Sequence, residues 1–312
     1  MALHPQTDAV LQLMTATYPD IGGRITDAAA ARRALSRVGQ PPAPHLPRVE
    51  DRVIPGTPEI SIRIYWPRPE TGPHPVIVYF HGGGFVLCGL DTHDGLCRIL
   101  AVGISAIVIA VDYRLSPEHK YPAAVEDAYR AVSWARTQAV SLGGDPERLV
   151  VAGDSAGGNL ATVTCLRARD DDGPAIAFQL LLYPWLDFMA ELPSRRDNAE
   201  GYYLTAAHLR WFEQQYLNEP REAAHPHVSP LRARSLAGLP PAMVLTAEYD
   251  PLRDEGEAYG ARLAEAGVPV RVYRAEGLFH SFLAMVDFLP GAREAVETAC
   301  AAVRSAVPAG SG

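Results

Sequence analysis

Two kinds of apolar spacing alternate along this chain. Short, nearly continuous runs such as PVIVYF (75–80) and ISAIVIAV (104–111) are rich in β-branched residues, as in strands buried on both faces. Runs of this kind predict strands at 48–54, 58–66, 75–80, 105–111, 147–152, 176–182, 241–247 and 269–274. Between them the periodicity turns helical, near 92–102, 122–140, 156–169, 253–266 and 291–306. The first two strands are close enough for an antiparallel hairpin. The later alternation of strand and helix requires crossovers, which predicts an α/β fold with a mostly parallel, eight-stranded, doubly wound sheet. Ligands of such sheets bind beyond the carboxyl ends of the strands.

Two regions break the alternation. Near the N-terminus, PQTDAVLQLMTATY and TDAAAARRALSRV read as amphipathic helices, followed by the linker QPPAPHLP. Residues 185–240 form a long excursion with one predicted helix at 205–217 and Pro-rich flanks. Long insertions in compact domains are functional lids or disordered, and the aromatic content here opposes disorder. The expected organisation is therefore a cap from 1–45 and 185–240 over a catalytic core from 46–184 and 241–312.

Composition narrows the function classes. The chain has 312 residues, 48% hydrophobic and 21% charged, as in a globular protein. A net charge of −8 argues against nucleic acid or an anionic membrane as partner. No run reaches the length of a membrane span, and MALHPQTDAVLQLM lacks the pattern of a secretory signal. Cys88, Cys97, Cys165 and Cys300 have no paired spacing and read as reduced core thiols of a cytoplasmic protein. Oligomeric state is left open, a homodimer among the options.

The chemistry centres on VAGDSAGGNLA (151–161), where three glycines crowd Ser155 between a predicted strand and a predicted helix. Gly153 to Gly157 fit G-x-S-x-G, whose serine projects from a strained turn. A Gly-rich turn that merely starts a helix has the same form, so partners must decide. A serine hydroxyl needs a base to take its proton and an acid to hold that base. In G-x-S-x-G enzymes the acid and then the histidine follow the serine. Of His208, His225, His227 and His280, only His280 stands just after a late strand. In LTAEYDPLRDEG, Asp250 directly follows a strand and is the preferred acid, with Glu248 behind it. Asp254 and Glu255 fall in a helical first turn, where acids are favoured for structural reasons. His225-Pro-His227 offers only two metal ligands, so no metal is expected.

Oxyanion donors are expected from His81-Gly82-Gly83-Gly84, at the end of strand 75–80. Backbone N–H groups of Gly83 and Gly84, joined by that of Ala156, would meet the developing charge. Apolar residues expected around the acyl group are Phe85, Tyr183, Trp185, Trp211, Phe279 and Phe282, each equally explained by packing.

Together HGGGFV (81–86), DYRLSPEHKYPAAVED (112–127), GDSAGGNLA (153–161), LLYPWLD (181–187), DPLRDEG (250–256) and FHSF (279–282) resemble the hormone-sensitive lipase-like, or bacterial family IV, carboxylesterases of the α/β-hydrolase superfamily. GDSAGG matches the subgroup with Asp before the nucleophile. The resemblance implies short- to medium-chain acyl esters as small-molecule substrates, a helical cap shaping the acyl pocket, and no cofactor. Two departures stand out: Ser116 where the family commonly has Ala, and His225-Pro226 where Asp-Pro often precedes VSPL. Asp112, Arg114 and Glu118 read as scaffolding that braces the oxyanion loop. The same triad would serve an amidase, lactonase or deacetylase, and some relatives of this fold are receptors that have lost a triad residue. His280 favours the enzyme.

Overall fold

The computed structural model describes residues 3, 5–18, 20–36, 43–67 and 73–308. The end of the second N-terminal helical stretch and the first residues of the QPPAPHLP linker lie outside them.

Eight strands form one sheet in the order β1 (Arg48–Ile54), β2 (Ile60–Trp66), β4 (Ile107–Asp112), β3 (His74–Phe80), β5 (Gly144–Asp154), β6 (Phe178–Leu182), β7 (Ala242–Tyr249) and β8 (Val270–Phe279). β1 and β2 form the expected hairpin, and β2 meets β4 antiparallel. Every other pairing is parallel. In register, Val78 of β3 sits between Ile109 of β4 and Val151 of β5.

The uninterrupted apolar runs have a simple cause: both sheet faces are covered. Side chains alternate along a strand, so Val76, Val78 and Phe80 enter one core while Ile77 and Tyr79 enter the other. The first face is covered by α4 (Ala123–Leu142), α5 (Ala156–Asp170) and α8 (Arg253–Glu265). The second carries α3 (Leu90–Ile104) and α9 (Pro290–Ala306). β8 continues to Phe279, past the expected end at 274. The tail beyond 274, with Glu276 and Gly277, looks like loop, but Ala275 and Phe279 pair with Ala247 and Tyr249 of β7 and extend the ladder across an irregularity.

The two irregular regions contact each other. α1 (Pro5–Thr17) and α2 (Ala28–Leu35) make up the N-terminal segment, with α2 capped by the Asp27 carboxylate on Ala30 N–H. The 185–240 segment carries α6 (Pro193–Asp197) and α7 (Ala206–Tyr216), the latter capped by Thr205. Trp211 of α7 donates its indole N–H to Thr26 O at 3.0 Å. The second half of this segment runs down the flank of the sheet. There Arg169 of α5 donates to Ser235 O and Ala237 O, and Arg262 of α8 to Leu231 O and Ala233 O.

Candidate active site

Ser155 stands between β5 and α5 with φ +54° and ψ −118°, a region side-chain-bearing residues rarely occupy. The turn around it is tightly packed. A methyl group at Gly157 would collide with the Phe80 carbonyl, and one at Gly158 would lie 2.7 Å from Pro184 Cβ. Ser155 N–H donates to Leu182 O at 2.9 Å, and Ser155 O accepts from Trp185 N–H at 3.1 Å. Asn159 then ties the turn to Trp185 O and Val228 O at 2.8 and 2.7 Å.

Asp250 follows β7 and His280 follows β8, so adjacent parallel strands deliver both to the same edge of the sheet. Asp250 Oδ2 lies 2.7 Å from His280 Nδ1, and His280 Nε2 lies 3.1 Å from Ser155 Oγ. Asp250 is wholly buried, and its other oxygen accepts from Leu252 N–H at 2.8 Å. A buried carboxylate at Nδ1 orients the ring so that Nε2 faces the hydroxyl. Glu248, the second choice for this acid, instead accepts from Gly277 N–H at 2.7 Å.

Gly83 (φ +101°) and Gly84 (φ +60°) form a turn that only glycine adopts without strain. Among the described residues, the N–H groups of Gly83, Gly84 and Ala156 meet no acceptor. The loop is held from below by Asp154, which accepts from Gly82 N–H at 2.9 Å and the Tyr79 hydroxyl at 2.6 Å. His93 Nε2 approaches the same carboxylate at 3.2 Å. Burial pushes the Asp154 carboxyl up, but His93 and the Tyr79 hydroxyl outweigh it and hold it below the usual carboxylate range. Burial pushes His81 down to about 3, so its ring is neutral in the working range. His81 stacks on Tyr113, whose hydroxyl donates to His81 O at 2.7 Å.

A cavity of about 220 Å³ opens onto Ser155, His280, Gly83 and Gly84. Of the six aromatic residues expected around the acyl group, Tyr183 and Trp185 line it. The other four are packed elsewhere. Phe85 stacks on Tyr216 at 3.9 Å, Trp211 bonds Thr26, and Phe279 and Phe282 are fully buried, the latter edge-on to Tyr183. Leu35, Leu96, Leu209 and Phe212 take their place on the wall, and Met14 and Tyr18 add to it from the N-terminal segment. Leu35, Leu209, Phe212, Met14 and Tyr18 belong to the two irregular segments, whereas Leu96 comes from α3 of the regular alternation.

Arg114 bonds Asp127 of α4, and Glu118 bonds Arg32 of α2. His225 is paired with the Tyr121 hydroxyl at 3.0 Å, and among the described residues no three metal-ligand side chains cluster. All four cysteines are free, and no described helix is long and apolar enough to cross a membrane.

The alpha/beta hydrolase fold family matches residues 77–284. Esterase LipI of Mycobacterium tuberculosis is 48% identical over 274 residues, 85% of this chain and 84% of that protein. An esterase from the archaeon Pyrobaculum calidifontis superposes with a TM-score of 0.90 at 41% identity, covering 98% of this chain and 99% of its own. An ester hydrolase from the metagenome of Lake Arreo, solved with a derivative of bipyridine phosphonate, superposes with a TM-score of 0.91 at 41% identity over 97% of this chain and 99% of its own. The chain thus belongs to the α/β-hydrolase fold family, in its hormone-sensitive lipase-like carboxylesterase branch.

Proposed function

We propose that this protein is a serine carboxylesterase that hydrolyses short- to medium-chain acyl esters. The observation that carries the reading is the hydrogen-bonded line Asp250–His280–Ser155 opening into an apolar cavity beside acceptor-free N–H groups. Ser155 Oγ attacks the ester carbonyl while His280 Nε2 takes its proton. Asp250 holds the imidazole and stabilises its cation. Charge gathers on the carbonyl oxygen, where Gly83, Gly84 and Ala156 N–H groups receive it. Collapse of this adduct passes the proton from His280 to the leaving alcohol, giving an acyl-enzyme. Water, deprotonated by His280, then attacks the acyl-enzyme, and the acid is released as Ser155 regains its proton.

The N-terminal segment and the α6–α7 stretch act as the cap, since their residues form much of the cavity wall. The test is hydrolysis of p-nitrophenyl esters from acetate to palmitate by wild type and Ser155→Ala. Activity at short and medium chains, reduced about 10⁴-fold or more in the variant, is expected. No hydrolysis at any length would reject the reading.

A further inference from the structure

Oxyanion donors work only at a fixed place relative to the nucleophile, yet glycine backbone is the least able to hold a shape by itself. The loop carrying Gly83 and Gly84 is pinned at both ends. Gly82 ties its start to Asp154, beside Ser155. At its far end, Val86 and Leu87 N–H fold back onto Gly83 O at 3.1 and 2.9 Å, and Phe85 O accepts from Ser116 N–H at 2.9 Å. The Val86 carbonyl accepts from Arg32 Nε at 2.7 Å.

Arg32 lies on α2, and its guanidinium reaches three groups at once. Beyond Val86 O, Nη2 donates to Ser116 O at 2.6 Å, and the Glu118 carboxylate is held in a two-point pair at 2.9 and 2.8 Å. One side chain therefore joins α2, the oxyanion loop and the neighbouring 113–118 turn. On the opposite side of the loop, the Phe212 ring of α7 lies so close to Gly84 that a methyl group there would overlap it.

We propose that Arg32 is a positioning residue for the oxyanion loop, so that docking of α2 on the core sets where Gly83 and Gly84 point. This inference rests on the esterase reading above. Only a planar, five-donor guanidinium satisfies all three partners, so lysine cannot replace it fully. Arg32 is 27% and Glu118 50% exposed, and ion pairs that open to water contribute little to stability. Loss of the side chain thus acts on geometry, and a shift of about 1 Å at a reacting centre costs up to about 100-fold in rate.

The experiment compares full-length wild type, Arg32→Ala, Arg32→Lys and Ser155→Ala on a p-nitrophenyl ester, with active serines counted by a phosphonate ester. For Arg32→Ala, kcat per active serine falls about 10- to 100-fold while KM stays within about twofold and Tm within a few degrees. Arg32→Lys falls between, and millimolar guanidinium restores part of the activity of Arg32→Ala without changing wild type. Unchanged kcat overturns the proposal, as does a fall that tracks a lowered Tm and is not rescued by guanidinium. If Arg32→Ala does not fold, Arg32→Lys decides: lower kcat at unchanged KM and Tm supports the role, and wild-type kcat refutes it. Failure of the esterase reading is a separate result, seen as an inactive wild type or an active Ser155→Ala, and it removes both.

Discussion

Around Ser155, glycines at 157 and 158 sit where a methyl group would strike Phe80 or Pro184, while on the facing wall Leu35, Leu96, Leu209 and Phe212 come together from separate elements around an open space. The first region is a close-packed strand end where Ser155 N–H and O both have backbone partners and added methyl groups have no room. The second is assembled from three chain segments, α2, α3 and α7, whose side chains border the cavity. Under the esterase reading, chemistry that needs sub-ångström placement would sit in the packed turn, and substrate shape would be set by the assembled wall.

The contrast breaks first at the turn. Gly157→Ala drives a methyl group into the Phe80 carbonyl, a backbone atom with nowhere to go. We expect a loss of at least about 3 kcal/mol in unfolding free energy, together with loss of esterase turnover. Urea denaturation of the variant checks this, and a wild-type midpoint would mean that the turn is looser than the packing implies.

Glu255 tests how the wall is anchored. Its buried carboxylate accepts from Leu186 and Asp187 N–H at 2.6 and 3.2 Å and pairs with Arg195 at 2.7 Å, which fastens the chain just beyond Trp185. Burial nevertheless pushes it up to about 7, above the ordinary glutamate range, against the pull of Arg195 and the two N–H groups. An acid whose folded value is raised keeps its proton in the folded state while the unfolded chain has lost it. Stability should therefore decline as pH rises from about 4.5 to 7 and level off above, by up to about 3 kcal/mol. In Glu255→Gln this component of the pH slope vanishes, whatever the absolute stability; an identical slope in both proteins would assign it to other groups.

The smallest effect is expected on the wall itself. Leu96 faces the cavity from α3, and Leu96→Trp is expected to fill part of that space. Hydrolysis of long acyl esters should fall about tenfold relative to acetate in kcat/KM, with the acetate rate kept within about twofold. A uniform fall across chain lengths would mean that the wall also positions the reacting centre.

Much of the first region was legible in the chain. The eight strands could be read from apolar runs because a sheet covered on both faces needs them, and G-x-S-x-G, Asp250 and His280 lie at ends of predicted strands that parallel pairing gathers at one edge. Misreadings had physical causes as well. The tail of β8 hides its pairing behind Glu276 and Gly277, and Phe85, Trp211, Phe279 and Phe282 are bulky enough to line a pocket yet pack elsewhere. An aromatic side chain is equally suited to core or cavity, so composition cannot choose between them.

What the sequence determined by itself was therefore local: alternation, turn chemistry, and which side chains could act as nucleophile, base and acid. Tertiary structure alone decided that Arg32 reaches the Val86 carbonyl, that Phe212 lies on Gly84, and that Met14 and Tyr18 border the cavity. The reason is range. Periodicity and motifs report forces between neighbours in the chain, whereas these contacts arise only after hydrophobic burial has brought together segments far apart in sequence, 54 residues in the case of Arg32 and Val86.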